Sequence, residues 1–277
     1  MSLKLYQFNN SSNNNSINSS FNTKKKHLKK FNIIFDIDET LVQTLILSNL
    51  KTKKMIYSHN EGNIVVSNYP KKNGSVVFLR PGLYELLAYC FYNFHVSFWT
   101  TGVKDYCQGI IDQILTEKQF NQTKVILSRY DENTVYDLKT KKKYKIDKFN
   151  DNMTKPLDFL FTHQIYKNKF KKSNTILIDD NPLHIAVNHN NGIFIFPWCR
   201  YDKKDNKLIT LLESLKKNRD IKNINELKIN REALFIPDNK NLRNITAHEC
   251  RKSSEFIDEI FKKPRKKSKK KSLSNKK

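Results

Sequence analysis

The chain has 277 residues, enough to bury one hydrophobic core, and its 51 lysines and arginines outnumber 27 aspartates and glutamates to give a formal charge of +24. This charge favours polyanionic partners such as nucleic acid, phosphorylated protein or an anionic membrane surface. Four widely spaced cysteines without a Cys-x-x-Cys pair argue against a zinc site or a disulfide framework. No stretch approaches the roughly 18 apolar residues of a membrane span, so we expect a soluble, intracellular protein.

Two terminal segments have compositions that do not support a packed core. Residues 1–30 are rich in Asn and Ser and then in Lys, and we predict that they are disordered. Residues 262–277 contain ten basic residues and no acid, which is typical of a nuclear-localisation signal, a nucleic-acid-binding arm or a solubilising tail. Between them we place one domain at 31–201 and a helical extension at 202–261.

The first predicted strand leads directly into two acids. The apolar run 33–35 is followed by Asp36, Asp38 and Thr40, and such a run predicts a strand that is buried on both faces. Carboxylates at the C-terminal end of a parallel strand lie where open α/β sheets bind ligands. Because two close carboxylates repel each other, a hard divalent cation such as Mg²⁺ would stabilise them. The alternative interpretation is a strand that enters an acidic turn.

Short β-like runs fill the segment after this motif. Residues 54–57, 63–66 and 75–79 alternate with turn-forming residues and predict a small antiparallel insertion over 51–79. The triplet Arg-Pro-Gly at 80–82 then precedes a helix, because the apolar residues that follow it are spaced for one helical face.

A second core strand, 95–99, ends in Thr100 and is followed by a helix whose inward positions include Tyr106. A hydroxyl at this strand end can donate to a phosphoryl oxygen, and N–H groups at a helix start bind anions. A threonine in this position also occurs simply as a cap or as a β-forming residue. Residues 124–128 predict a third core strand, which loops or a β excursion follow at 129–153.

One lysine stands at a predicted helix start. Lys155 follows Thr154 and precedes Pro156, so we predict a helix with Thr154 as its N-cap and the proline in its first turn. In a chain this basic the default interpretation of any one lysine is a solvated surface residue. For the role of an active-site ammonium, Lys148, Lys167 and Lys169 are therefore alternatives to Lys155.

A further apolar strand, 175–178, ends like the first in two acids, Asp179 and Asp180, with Asn-Pro after them. A last apolar run follows at 192–196. Acidic pairs are common in loops, so this pair alone indicates little. Two apolar strands that each end in paired acids, with a Thr-terminated strand between them, indicate one shared site.

These stretches, in this order, resemble the four motifs of the haloacid-dehalogenase superfamily: Asp36-x-Asp38-x-Thr40, Thr100, the pattern Lys155-x-Leu-x-x-Leu, and Asp179-Asp180-Asn-Pro. The longer string Asp-Ile-Asp-Glu-Thr-Leu-Val resembles the branch of aspartate phosphatases that act on the C-terminal repeats of RNA polymerase II. The resemblance covers roughly residues 31–201. It implies an α/β fold with a doubly wound parallel sheet and a small antiparallel β insertion after the first strand.

The resemblance also implies roles for the acids. Asp36 would be the nucleophile, and Asp38 would be the general acid and later the general base. Mg²⁺ would be held by the side chains of Asp36 and Asp180 and by the backbone carbonyl of Asp38. Asp179 would hold a water of the metal or orient its neighbour. The phosphate-binding residues would be Thr40, Thr100 and Lys155.

The expected activity is that of a Mg²⁺-dependent phosphoserine or phosphothreonine protein phosphatase, with the RNA polymerase II tail as one candidate substrate and the nucleus as the favoured location. Gln43 stands where a His is common in the resembled family, which could alter recognition. A nucleic-acid end phosphatase is an alternative that the charge of +24 favours. A non-catalytic binding protein of the same fold is another, but the intact Asp36-x-Asp38-x-Thr40 motif argues against it. The sequence makes no prediction of the oligomeric state.

Overall fold

The computed structural model describes residues 31–46, 64–67, 74–131, 133–146, 154–188, 190–200, 202, 204–218, 221 and 223–229. The strands in chain order are β1 (Asn32–Phe35), β2 (Val42–Ile46), β3 (Ile64–Ser67), β4 (Ser75–Leu79), β5 (His95–Val103), β6 (Ile126–Asp131), β7 (Thr134–Asp137), β8 (Lys142–Lys145), β9 (Thr175–Asp179) and β10 (Gly192–Phe194). The α-helices are α1 (Leu83–Asn93), α2 (Lys104–Ile114), α3 (Glu117–Gln122), α4 (Asp158–Thr162), α5 (Pro182–Ala186) and α6 (Lys207–Lys217). In the described part of the chain, no helix combines the length and apolar character that a membrane crossing requires.

A seven-stranded sheet in the order β10-β9-β1-β5-β6-β7-β8 forms the centre of the protein. The first five strands of this order are parallel, and β7 and β8 continue the sheet as an antiparallel hairpin. β1 lies between β9 and β5, with Phe35 in register with Ile178 on one side and with Phe98 on the other. The doubly wound, mainly parallel sheet that the sequence predicts is confirmed.

Both faces of the sheet are covered, which explains the continuous apolar runs of its strands. Ile33 and Phe35 point into a core that they share with residues of α1, α2 and α6. Ile34, between them in the chain, points to the opposite face and joins Trp99 and residues of α4. Successive side chains of a strand alternate between faces, so a strand that contributes to two cores must be apolar at every position.

A smaller antiparallel sheet has the strand order β2-β4-β3. Its first strand, β2, begins two residues after Thr40 and therefore precedes the predicted insertion at 51–79, whereas β3 and β4 fall inside it. The predicted run at 54–57 lies outside the described residues. Gln43, on β2, is buried and accepts a hydrogen bond of 3.1 Å from the backbone N–H of Arg200.

Helix α4 starts later than the sequence predicts. Leu157, not Thr154, is its N-cap residue, so the prediction of a Thr154 cap is wrong. The reason is Asn188, whose side chain accepts from the N–H of Leu157 at 2.9 Å and donates to the carbonyl of Lys155 at 2.7 Å. These two bonds hold the segment before the helix outside a helical conformation and point Lys155 into the protein, where it is fully buried.

Helix α6 belongs to the same core as the central sheet. Its buried leucines, placed by the sequence in the helical extension after residue 201, pack with Ile33 and Phe35; they are Leu208, Leu211, Leu212 and Leu215. The division of the chain into four segments stays a prediction, and the basic segment 262–277 lies outside the described residues.

One buried arginine connects the loop after β1 with the start of α6. Arg80, 1% exposed, donates to both carboxylate oxygens of Asp205 at 2.8 and 2.9 Å. It also donates to the backbone carbonyls of Glu39 at 3.2 Å, Thr40 at 3.0 Å and Phe196 at 2.9 Å. A guanidinium has five N–H donors, and all five are used here. Arg80 thus fixes the backbone that carries the first acidic motif.

We expect the substitution Arg80→Met to lower the free energy of unfolding by about 3–5 kcal/mol, because it leaves Asp205 buried without its cation. The matched control is Lys216→Met, which breaks the solvent-exposed ion pair between Lys216 and Glu213 and should cost less than about 1 kcal/mol. Urea unfolding followed by circular dichroism measures both. Equal losses in the two variants would show that the buried network does not contribute as we infer.

Candidate active site

The predicted site residues meet at one edge of the central sheet. Asp36 follows β1, Thr100 lies in β5 and Asp179 ends β9, and these three strands are parallel neighbours. Their C-terminal ends therefore lie side by side, at the edge where open α/β sheets bind ligands. The topology alone explains why residues from distant parts of the chain share one site.

A buried ammonium joins two of the acids. Lys155 Nζ donates to Asp36 Oδ1 and, at 2.7 Å, to Asp179 Oδ2. Of the lysines that the sequence offers for this position, Lys167 and Lys169 are exposed, and Lys148 lies outside the described residues. Lys155 is thus the lysine that the fold brings to the acids.

Thr40 connects the two acidic loops. Its hydroxyl lies 3.3 Å from Asp36 Oδ2 and 3.2 Å from Asp180 Oδ1, so its single proton is shared between two carboxylates. The same oxygen accepts the backbone N–H of Asp180 at 3.1 Å. Thr40 is fully buried, which places the predicted phosphate-binding hydroxyl between the carboxylates.

Two hydroxyls hold the side chain of Asp38. Thr100 Oγ1 donates to Asp38 Oδ2 at 3.2 Å and accepts the N–H of Gly102 at 2.9 Å. The phenol of Tyr106 donates to Asp38 Oδ1, and Thr44 Oγ1 lies 2.8 Å from the same phenol oxygen. The sequence predicts Tyr106 only as an inward residue of a helix, so its contact with the acid was missed. The signal that could have revealed this contact was the position of Tyr106 in the first turn of α2, the helix that follows β5.

A buried histidine, His184, also lies at the site and was not predicted from the sequence. Its Nδ1 lies 2.9 Å from both carboxylate oxygens of Asp179. Asp179 additionally accepts the N–H of Asn181 at 2.8 Å. Together with Lys155, these donors fix the orientation of Asp179, which is fully buried. The signal was a histidine in the short helix that directly follows the Asp-Asp-Asn-Pro motif.

Burial and mutual repulsion raise the pKa values of Asp36 and Asp180. Burial is the main cause that raises the pKa of Asp36 to about 6; Asp179 and Asp38 raise it further, and Lys155 opposes them. Burial, followed by Asp36 and Asp179, raises the pKa of Asp180 well above its usual range. Both shifts show that these carboxylates are costly to keep ionised without an additional cation.

The pKa values of Lys155 and Asp179 shift in the directions that keep both groups charged. Burial alone would lower the pKa of Lys155, but Asp179 and Asp36 outweigh it and hold that pKa above its usual range. Burial alone would raise the pKa of Asp179, but Lys155 and His184 outweigh it and keep that pKa below its usual range. Lys155 is therefore charged and paired.

The donor set fits a divalent metal ion. Asp36, Asp179 and Asp180 each offer a carboxylate oxygen, and these oxygens lie within 4.8 Å of one another. One ammonium does not neutralise three buried carboxylates, and hard divalent cations prefer oxygen ligands of this kind. The side chain of Asp38 is not part of this group, and the metal contact predicted for Asp38 is through its backbone carbonyl.

The fold and the site define a class of protein: a doubly wound α/β protein with an Asp-x-Asp motif, a buried lysine and a second acidic pair at one sheet edge. This is the haloacid-dehalogenase arrangement that the motifs resemble. The chain belongs to the NLI interacting factor-like phosphatase family, whose model matches residues 31–225.

Two viral proteins are similar to this chain in sequence. The chain is 33% identical over 91 residues to the putative CTD phosphatase-like protein 355R of Invertebrate iridescent virus 3, a match that covers 33% of this chain and 47% of the relative. It is 29% identical over 153 residues to the protein of the same name in Invertebrate iridescent virus 6, with 54% and 75% covered. The match thus spans about half the length of the first relative.

Solved structures with a similar fold include Fcp1, an essential RNA polymerase II CTD phosphatase, with 18% identity and a TM-score of 0.43 over 83% of this chain and 62% of that one. A variant of fission yeast Fcp1 in which one arginine is replaced by alanine, bound to beryllium fluoride, gives 15% identity and the same TM-score and coverage.

We expect Mg²⁺ to raise the melting temperature of the wild-type protein relative to EDTA, because a ligand at 100 times its Kd adds about 2.7 kcal/mol to the free energy of unfolding. Asp180→Asn should lose this increase. In EDTA the same variant should melt above wild type, since one of three mutually repelling carboxylates is gone.

The control for this measurement is Asp158→Asn, which removes an exposed acid on α4 and should keep the full response to Mg²⁺. A full Mg²⁺ response in Asp180→Asn would contradict the assignment of the metal to the acidic group. Differential scanning calorimetry with each protein in both buffers makes the comparison.

Proposed function

We propose that this protein is a Mg²⁺-dependent phosphatase that hydrolyses phosphoserine or phosphothreonine in a protein through an aspartyl-phosphate on Asp36. The observation that carries the proposal is the position of Asp36 at the end of a central parallel strand, held by Lys155 and Thr40 beside a second acid, Asp38. Membership of a phosphatase family supports the reaction class.

In the first step, a carboxylate oxygen of Asp36 attacks the phosphorus, and the bond from phosphorus to the seryl oxygen breaks. Asp38 gives its proton to that leaving oxygen, so that the serine departs as a neutral alcohol. Asp38 suits this role because it is two residues from the nucleophile, less buried than Asp36, and oriented by Thr100 and Tyr106.

In the second step, water attacks the phosphorus of the aspartyl-phosphate and gives a proton back to Asp38. The bond from phosphorus to Asp36 breaks, which releases inorganic phosphate and restores both carboxyl groups. The same acid therefore donates a proton in one step and accepts one in the next. Mg²⁺, when bound by Asp36 and Asp180, would offset the repulsion between a phosphate group and the carboxylates.

Lys155 is proposed to bind a phosphoryl oxygen as well as the acids. An ammonium has three N–H donors, and Asp36 and Asp179 accept two of them, which leaves a third for the substrate. The hydroxyl of Thr100, which donates to Asp38 here, would turn toward another phosphoryl oxygen. These contacts would stabilise negative charge that develops during phosphoryl transfer.

The proposed substrate class is a phosphorylated protein. The viral relatives carry the name CTD phosphatase-like, which supports a phosphorylated repeat such as the RNA polymerase II tail. The antiparallel sheet β2-β4-β3 adjoins the site through β2 and could hold an extended peptide. A nucleic-acid end phosphatase is the second candidate, because a formal charge of +24 favours any polyanion.

We expect wild-type protein to release phosphate from para-nitrophenyl phosphate in Mg²⁺ but not in EDTA, and Asp36→Asn to be inactive in both. Removing the nucleophile should cost more than about a thousandfold in kcat, since no other carboxylate occupies its position. Activity that survives in Asp36→Asn would reject the aspartyl-phosphate. Asp158→Asn is again the matched acid-to-amide control.

Substrate choice is tested with the same preparations. A phosphoserine peptide should show a higher kcat/KM than an oligonucleotide with a 3′- or 5′-terminal phosphate. The reverse order would favour the nucleic-acid end phosphatase, and hydrolysis of neither by a protein that does cleave para-nitrophenyl phosphate would point to another phosphate ester.

Tyr106→Phe tests the orientation of the general acid. Asp38 becomes charged as it gives up its proton, and losing a hydrogen bond to a charged group costs roughly 1.5–3 kcal/mol, so kcat/KM for a phosphoserine peptide should fall by about tenfold or more. With para-nitrophenyl phosphate the loss should be smaller, because its leaving group needs little protonation. The control, Tyr166→Phe, removes a phenol bound to the buried Asp137 at 2.9 Å. It should lower stability without changing the ratio of the two activities.

A further inference from the structure

The hairpin at the edge of the central sheet is unusually basic. The segment from 139 to 145 contains five lysines and no acid: Lys139, Lys141, Lys142, Lys143 and Lys145. All of them except Lys139 are exposed. None is used by the proposed reaction, so this charge needs a separate explanation.

The two faces of the hairpin differ. Tyr144, in the middle of β8, is buried with Val135 in the core on the α4 side of the sheet. Lys143 and Lys145 flank Tyr144 and therefore point to the opposite face. Lys143 is in register with Tyr136 of β7, which packs against the core that α2 shares. Lys143 and Lys145 thus lie on the α2 side.

On that face, cations and aromatic rings alternate. Lys143 Nζ lies 3.5 Å from the centre of the Tyr130 ring, and Lys104 Nζ lies 4.7 Å from the centre of the Tyr136 ring. Tyr130 is 47% exposed. These contacts across β6, β7 and β8, together with Lys145, define what we call the cationic face.

The cationic face begins next to the active site. Lys104 is the first residue of α2 and directly follows β5, the strand whose Thr100 contacts Asp38. β8 runs parallel to β6, so Lys145 lies toward the same sheet edge as the acids. A chain bound with one phosphate at Asp36 could therefore reach the cationic face with its neighbouring residues.

Lysines on an edge strand also protect a sheet from pairing with another chain. That role requires charge on β8 alone. It does not require an ammonium from α2, or rings that hold two of the ammonium groups in fixed positions. A cation–π contact restricts an ammonium while leaving N–H donors for an anionic oxygen, which lowers the entropy lost on binding.

The same rings argue against single-stranded nucleic acid as the occupant. Proteins that bind it stack bases on open aromatic faces. Here Lys143 covers the ring of Tyr130 and Lys104 covers that of Tyr136. One face of each ring is thus occupied by a lysine, and of the two rings only that of Tyr130 belongs to an exposed residue. The cationic face therefore offers more charge than stacking surface, which suits phosphate groups on a polypeptide.

We propose that the cationic face binds a second phosphate group on the substrate polypeptide while the first lies at Asp36, so that the enzyme prefers multiply phosphorylated chains. This inference rests on the proposed function, because it takes a phosphopeptide as the substrate. It assigns to Lys104, Lys143 and Lys145 a role in substrate selection and none in the chemical step.

The test measures binding apart from catalysis. Fluorescence anisotropy with the Asp36→Asn protein compares two labelled peptides of one sequence, with one and with two phosphoserines. We expect the doubly phosphorylated peptide to bind about tenfold more tightly at low salt. Adding Lys143→Gln and Lys145→Gln should reduce this preference to about twofold or less.

The matched control removes the same charge elsewhere, with Lys118→Gln and Lys124→Gln, two exposed lysines on and after α3. It should keep the preference. An equal loss in this control would show that net charge, not the cationic face, selects the peptide and would overturn the proposal. The proposal would also be wrong if the two peptides bound equally well to the protein with all of these lysines intact.

Two further measurements separate the remaining explanations. Lys143→Gln with Lys145→Gln, in the protein with Asp36 intact, should hydrolyse para-nitrophenyl phosphate at the wild-type rate, because neither lysine contacts the reacting group. If these substitutions weakened binding of a single-stranded oligonucleotide but not of the doubly phosphorylated peptide, the face would be a nucleic-acid site and our proposal would fail. Absence of phosphatase activity in wild type would reject the proposed function, whereas the peptide preference would still be measured by binding.

Discussion

The ammonium of Lys155, buried between Asp36 and Asp179, is the interaction on which the rest of the site depends. Adjacent parallel strands bring these two carboxylates together, and two like charges cannot be buried without a cation. The chain supplies the cation from the segment before α4, where Asn188 holds the backbone on both sides of Pro156. One ammonium still leaves an excess of negative charge once Asp180 is counted, and this excess makes a divalent metal the natural complement.

The position of the first acidic motif depends on residues far from it in the chain. Arg80 binds the carbonyls of Glu39 and Thr40, and its charge is neutralised by Asp205 just before α6. Helix α6 packs in the same core as β1, so the residues after 201 contribute to the support of the loop that carries the first acidic motif. The match to the family model likewise extends past residue 201, to residue 225.

Strand ends were predictable from the sequence, and contacts between side chains of different segments were not. Apolar runs that end in acids marked the ends of β1 and β9, because a strand buried on both faces has a distinctive composition. Tyr106 occupies an inward helical position, and such a pattern does not reveal that its hydroxyl meets Asp38. The cap predicted at Thr154 was wrong for a similar reason, since Asn188, more than thirty residues later, determines the local backbone. Strand β2 was not predicted, because its first residue belongs to the string Asp-Ile-Asp-Glu-Thr-Leu-Val, which was interpreted as a single motif.

The net charge of the protein and the charge of its candidate active site have opposite signs. The protein carries a formal charge of +24, yet its candidate active site is a group of buried acids. Under the proposed function, surface lysines would attract a phosphorylated chain over distances of about 10 Å, the range that salt leaves unscreened. At contact, the acids would repel the same phosphate, so the approach would become favourable only where Lys155 and a bound cation offset them. Under the proposed function, a site built in this way would admit phosphate where the local cations are correctly placed, and the net surface charge would raise the rate of encounter.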